Sequence, residues 1–390
     1  MATTLNEKTF AQVFTATGGV NGTRVNEQGQ IVPAAAPAFE FDPITLTARG
    51  LRIRGPAKAN LLANSQLSGL GAAEGTTPPS IATATVDGEA CNAITFTPSS
   101  TPGYPGSRWR GNSTAPIVPA TAYSQSAYVK LSRPLAVGES ITVYYTGSSG
   151  MGTFAITQAI SAQFAERFTR ISTPNITPNV NGNVWPVVHT NTSMGSNLTV
   201  WICKGQVEIG PYSSTYIPTA AAPVTRSVEN IYCNDLHLAP WFNKAEGTAL
   251  IKYCVQQVQS TSVVLLSVSR TGNADRVQVH VVGGLTYLVQ SLTNGGLNLS
   301  AAGGNVAGAE SVVAVSWKAG RFALSVNGGA AVTASVATLV DFSQPSRMYL
   351  GSYNSGASLE GEIRDFAYWP KAANATELAA LTFNTEAITG

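Results

Sequence analysis

Between residues 101 and 113 the chain reads TPGYPGSRWRGNS, with Tyr104 and Trp109 standing among Pro and Gly beside Arg108, Arg110 and Asn112. An aromatic ring can pack against the apolar C–H face of a sugar, while guanidinium and amide groups give directional hydrogen bonds to its hydroxyls. The segment therefore reads as a loop carrying a stacking platform for a carbohydrate. The competing reading is that Trp109 caps the hydrophobic core or is buried against a neighbouring subunit. A second stretch, NGNVWPVVHT at 181–190, repeats the combination with Asn183, Trp185 and His189. There Val184, Val187 and Val188 equally allow a strand.

Other chemistries find less support. Glycoside hydrolysis needs two carboxylates about 5–5.5 Å or 6.5–9.5 Å apart, and the nearest set is Glu360, Glu362 and Asp365 in SLEGEIRDFAYW. Period two puts Glu360 and Glu362 on one strand face and Asp365 on the other, unless a bulge intervenes. The chain has no G-x-S-x-G elbow, and the glycines of GLGAAEG near residue 70 lack the strand-to-helix frame of a phosphate loop. His189, His237 and His280 lie in separate segments. Cys91, Cys203, Cys233 and Cys254 form no CxxC pair, so buried free thiols are expected and neither a metal nor a cofactor is. With 23 Lys and Arg against 21 Asp and Glu in 390 residues, the net charge is +2 and the charged fraction only 11%. That is far from the clustered basic surface nucleic acid demands. No apolar run approaches the roughly 18 residues of a membrane span, and the start, MATTLNEKTFAQVF, has no classical export signal.

The elements that must carry these groups are strands. Period-two alternation recurs in SAYVKLS (126–132), ESITVYYTG (139–147), NLTVWICKGQVEIG (197–210), SVVAVSWKAG (311–320) and RFALSVNGG (321–329), so alternate side chains face a core. Trp201, Trp317 and Trp369 fall within such patterns and are expected in the core or between sheets. Trp241 and Phe242 are expected on an entry strand, packing inward. The one persuasive helix is NATELAALT, with Asn374 or Thr376 as cap, Glu377 in the first turn, and Leu378 and Leu381 three apart. Gly55 and Pro56 mark one boundary and the Pro- and Ala-rich YIPTAAAPVTRSVEN (216–230) another. The expected fold is all-β: an extended amino-terminal segment over 1–58, then two tandem antiparallel β-sandwiches over 59–222 and 228–390.

Several segments carry a more specific likeness. FEFDPITLTARGLRIRGPAKANLL, with Phe41-Asp42-Pro43, Gly50-Leu51, Ile53 and Asn60-Leu61-Leu62, resembles the lead-in of many bacteriophage tail and fibre proteins. VWICKGQVEIGPYSSTYIPTAAAPVTR resembles the closing strand of the same family, through Gln206, Glu208, Gly210, Tyr216-Ile217-Pro218-Thr219 and Thr225-Arg226. The block between resembles a carbohydrate-binding-module jelly roll. The last third, from WFNKAEGTALIKY to LEGEIRDFAYWP, resembles a concanavalin A-like or laminin-G-like lectin sandwich, in which LEGEIRDFAYW is the closing strand and Ile363 and Phe366 feed the core. Arg-Gly-Pro-Ala-Lys departs from the more usual acidic, Gln-Arg-containing pentapeptide of the lead-in. The resemblance implies a non-enzymatic virion protein, a tail-fibre, spike or head-fibre subunit assembled in the bacterial cytoplasm. Such a subunit forms homotrimers and contacts other virion proteins through residues 1–58; host-surface polysaccharide is then expected at Tyr104, Arg108, Trp109, Asn112 and Trp185, the residues whose own chemistry suits a sugar. The alternatives are a connector or decoration protein with no glycan ligand and, further off, a capsule-degrading glycosidase.

Overall fold

The computed structural model describes residues 10–34, 37–43, 45–55, 57–67, 69, 71–103, 106–147, 151–256, 262–270, 275–292, 295–304, 306–353 and 358–383. The chain is all-β and divides into two compact units. One comprises 58–226, the other 1–57 together with 227–390.

In the 58–226 unit two antiparallel sheets enclose a core. One runs Thr169–Ile176, Tyr123–Leu131, Leu198–Ile209, Glu89–Phe96, Ser80–Val86. The other runs Met151–Thr157, Ser140–Gly147, Gly182–Thr190, Arg108–Arg110, Ala72–Glu74, with Ala115–Ile117 also paired to Gly182–Thr190. Alternation decides what goes inward: Ala127, Val129 and Leu131 from one strand, Leu198, Val200 and Ile202 from the next, and Ile141, Val143 and Val188 from the facing sheet all meet in one apolar cluster. Trp201, between Val200 and Ile202, points the other way and is half-buried. The short strands Lys58–Asn60 and Val224–Arg226 pair where the chain enters and leaves the unit.

The second unit is a sandwich of two seven-stranded sheets. The first has the order Thr15–Gly18, Glu229–Cys233, Ser346–Leu350, Val263–Arg270, Arg276–Val282, Leu285–Leu292, Gly295–Ala302. The second has the order Val332–Ala334, Arg321–Val326, Glu310–Lys318, Glu246–Val255, Glu360–Trp369, Ala48–Arg54, Ala38–Phe41. Trp317 is fully buried between them, and Ile363 and Phe366 reach the same core. Trp241 and Phe242 lie in the turn before strand Glu246–Val255 rather than on a strand, yet Phe242 still enters the core, stacked on Tyr368 at 5.5 Å. The helix Ala375–Phe383 covers the outer face of the second sheet, with Leu378 buried against Leu250, Val312, Ala314 and Ala323 and Trp369 packed at the edge. Its cap is Asn374: the Glu377 amide donates to Asn374 Oδ1 (3.0 Å) and the Asn374 amide to Glu377 Oε2 (2.7 Å), a reciprocal capping box.

The amino-terminal stretch set apart in the sequence as 1–58 does not stand apart in space. Strand Ala48–Arg54 pairs with Glu360–Trp369 in the register Leu51↔Ile363, Ile53↔Gly361, and Leu51 and Ile53 are buried in the second unit's core. Thr15–Gly18 pairs with Glu229–Cys233. The physical reason is that a strand with an apolar face must find a sheet. The unit of 58–226 is thus inserted in the chain of the other. All four cysteines are buried and unpaired.

Candidate functional site

Strand Arg108–Arg110 lies between Gly182–Thr190 and Ala72–Glu74, in the registers Arg108↔His189, Trp109↔Val188, Arg110↔Val187 and Arg108↔Glu74. A strand sends neighbours to opposite faces, so Trp109 and its two arginines must part. Trp109 goes inward and is 0% exposed among the core side chains. A ring with no accessible face cannot be a platform for an external sugar, so Trp109 is removed from the candidate ligand residues and belongs to the core. Gly71 shows how tightly it is held: with φ +63° the residue is in the left-handed region, and a Cβ there would come within 2.7 Å of Trp109 Nε1.

Arg108 and Arg110 go outward, onto the open face of the six-stranded sheet. With Glu74, Tyr144, Thr146, Gly147, Thr153, Trp185, Val187 and His189 they line a cleft of about 560 Å³. The register Tyr144↔Val187 and Thr146↔Trp185 sets these rows side by side. Glu74 organises the charge. Arg108 Nε donates to its Oε2 at 2.8 Å and Arg110 Nε to its Oε1 at 2.6 Å, while Arg108 Nη2 lies 2.6 Å from Oε2. Burial by itself would raise the Glu74 carboxyl. The hydrogen bonds and charge of Arg110 and Arg108 outweigh it and hold the group below the ordinary carboxylate range.

The Arg110 guanidinium also lies over the Trp185 ring, 5.2 Å from its centre, a cation–π contact. Trp185 Nε1 is buried and has no hydrogen-bond partner among the described residues. His189 packs edge-on against Tyr144 at 5.3 Å, and its Nδ1 lies 3.0 Å from the Thr190 carbonyl oxygen. A carbonyl only accepts, so Nδ1 carries the proton and Nε2 is left as an acceptor. Burial, with the nearby Arg108 charge adding to it against the Thr190 hydrogen bond, lowers the His189 pKa below its ordinary value. The ring is therefore neutral at pH 7.

Of the five sequence candidates, the cleft gathers Arg108 and Trp185. Asn112 is exposed beyond the strand end and does not line it; its amide lies over Gly69. Tyr104 lies outside the described residues. Glu74, Tyr144, Thr146 and Thr153 were not singled out in the sequence, and Val187 only as a sign of a strand. Alternation in ESITVYYTG could have paired Tyr144 with Thr146 on one face, but the three-residue strand holding Glu74 has no pattern to read.

Of the three carboxylates of 360–365, Glu360 and Glu362 are tied into ion pairs. Pairing of Glu360–Trp369 with Glu246–Val255 slips between Lys252↔Asp365 and Tyr253↔Ile363. That bulge turns Asp365 to the same outer face as Glu362. Arg52 lies 3.0 Å from Glu360, 3.5 Å from Glu362 and 3.5 Å from Glu40, and the side chains of Glu360 and Glu362 are only 1% and 4% exposed. Both are engaged by the buried Arg52 guanidinium, and Glu362 also lies 3.6 Å from Arg49 and 3.5 Å from Arg364. Among the described residues, no group of three or more His, Cys, Asp and Glu could hold a metal ion, and no helix is long and apolar enough to cross a membrane.

No protein-family model matches the chain, and no curated protein matches it. Solved structures do resemble parts of it. The CBM40 of a Ruminococcus gnavus IT-sialidase bound to α2,3-sialyllactose shares 19% identity over 36% of this chain and 84% of its own, with a TM-score of 0.33. The LG4-5 domains of mouse laminin α1 share 14% identity over 72% of this chain and 93% of theirs, with a TM-score of 0.28. The SAP-like pentraxin of Limulus polyphemus shares 15% over 35% of this chain and 69% of its own, also at 0.28. Likeness at this level identifies neither a family nor a ligand.

Proposed function

We propose that the chain is a non-enzymatic, lectin-like bacteriophage virion protein, a tail-fibre, spike or head-fibre subunit that attaches to host-surface glycan through the 58–226 unit. The observation that carries the glycan reading is the cleft on the six-stranded sheet, where two arginines, a neutral histidine, two threonines and a half-buried tryptophan converge. Such a mixture of fixed hydrogen-bonding groups and apolar surface is what sugar recognition uses. Among the described residues that line it, the cleft has a single carboxylate, Glu74, held by two guanidiniums, whereas the two-carboxylate route of hydrolysis requires a second. The virion reading rests on the lead-in and closing-strand patterns around Phe41-Asp42-Pro43 and Tyr216-Ile217-Pro218-Thr219.

Because strands Thr15–Gly18, Ala38–Phe41 and Ala48–Arg54 pair within the second unit, contact with other virion proteins through these residues of the amino-terminal segment is made from the surface of that sandwich. A homotrimer makes a weak site effective. One millimolar site is worth about 4 kcal/mol, and geometrically compatible copies raise avidity by about 10²–10⁴. The test is a glycan array probed with the intact chain and with Trp185→Ala. A defined hit lost in the variant supports the reading; absence of binding at any valency moves the chain to the connector class. Release of reducing ends from host polysaccharide would overturn the non-enzymatic assignment.

A further inference from the structure

Resting on the glycan reading of this cleft, we infer that its ligand is an acidic saccharide whose carboxylate is taken by Arg110. The cleft is led by charge more than by stacking. Among its lining residues two guanidiniums face one carboxylate, a balance of +1, and His189 adds none. The rings offer little free face: Arg110 lies over Trp185 at 5.2 Å, and Tyr144 is buried.

Arg110 is the group with capacity to spare. Its side chain is 40% exposed and is bound to Glu74 through Nε at 2.6 Å. Among the described residues its two terminal nitrogens donate to nothing. The guanidinium is planar, so a hold at Nε and a seat on the Trp185 ring fix its orientation and leave the Nη1–Nη2 edge as a preset fork. A carboxylate matches that fork with two parallel charge-assisted bonds. A neutral hydroxyl uses only one of the two and gains nothing from the net charge. His189 Nε2, an acceptor, suits a ligand hydroxyl, and Thr146 and Thr153 line the same wall. Glu74 has a double part here: it keeps two like charges together on neighbouring strand positions, and it lowers the cleft to one net positive charge, matched to one carboxylate.

The test titrates the intact chain with hexuronic-acid oligosaccharides and N-acetylneuraminic acid-terminated trisaccharides, each beside its methyl ester, which removes the charge and leaves the ring. The inference expects at least one acid to bind at least tenfold more tightly than its ester, with affinity falling as salt is raised. Arg110→Gln is expected to erase that difference while its melting curve stays that of the parent. Because the acid–ester comparison is made on the unaltered chain, it decides the matter even if a variant folds poorly. Equal binding of acid and ester, still lost in Trp185→Ala, overturns the acidic ligand and leaves the glycan cleft standing. No binding of acidic or neutral glycans, even on a multivalent display, overturns both.

Discussion

Truncating Trp109 separates a core residue from a ligand platform. The ring is fully buried between the two sheets of the 58–226 unit. An aromatic side chain of this class buries about 150–250 Å², which at about 25 cal/mol per Å² is worth roughly 4–6 kcal/mol. Measured losses for Trp→Ala in cores run about 3–5 kcal/mol. A unit of this size shifts its melting temperature by about 2–4 °C per kcal/mol, so Trp109→Ala is expected to lower the transition of this unit by roughly 6–20 °C. The assay is calorimetry of the intact chain, with the two units followed as separate transitions and Trp185→Ala as the half-buried control, expected to shift by far less. Sugar affinity measured well below the lowered transition should be nearly unchanged. A Trp109→Ala protein that melts like the parent and has lost its ligand would refute the burial argument and restore Trp109 as a platform.

Three further outcomes follow from buried or capped polar groups. Glu139 accepts both terminal nitrogens of Arg133 (2.6 and 3.0 Å) and the amides of Ala136 and Gly195; Arg133, with those amides, holds its carboxyl at about 2, against an ordinary 4.5. A lowered folded value means stability that is present above about pH 4.5 and drains away as pH falls toward 2. Glu139→Gln should therefore cost about 1–2 kcal/mol near neutrality, allowing for solvent screening, and converge with the parent near pH 2 in urea titrations. Arg52→Met leaves Glu40, Glu360 and Glu362 without the guanidinium they share; a loss of about 3–5 kcal/mol, read as a lower transition for the other unit, is expected, with partial recovery on adding Glu360→Gln. Asn374→Ala removes the capping box of helix Ala375–Phe383 and should cost about 1 kcal/mol, seen as faster amide exchange in the first turn.

The sandwich class was legible because alternation is local: the five patterned segments all became strands, with Val200 and Ile202 inward and Trp201 outward as period two requires. The same rule applied to Arg108–Trp109–Arg110 would have shown that the ring and its neighbours cannot share a face. The run of Pro and Gly around them instead reads as a loop. Long-range pairing was not legible. Nothing near Arg52 announces Glu360, 308 residues away, so a stretch that completes a sheet read as a separate segment. Glu74 sits on the three-residue strand Ala72–Glu74, too short for any period, and its role exists only because two other strands bring Arg108 and Arg110 beside it. The slip at Lys252/Tyr253, which moves Asp365 to the face of Glu362, is likewise a property of the pairing.

The most direct measurement is a crystal structure of the intact chain soaked with the best-binding saccharide from the array. The account predicts a sugar seated on the six-stranded sheet of the 58–226 unit, within hydrogen-bond distance of Arg110 and His189 and in contact with Trp185. A saccharide bound only on the 227–390 sandwich, with this cleft vacant at saturating ligand, would contradict it.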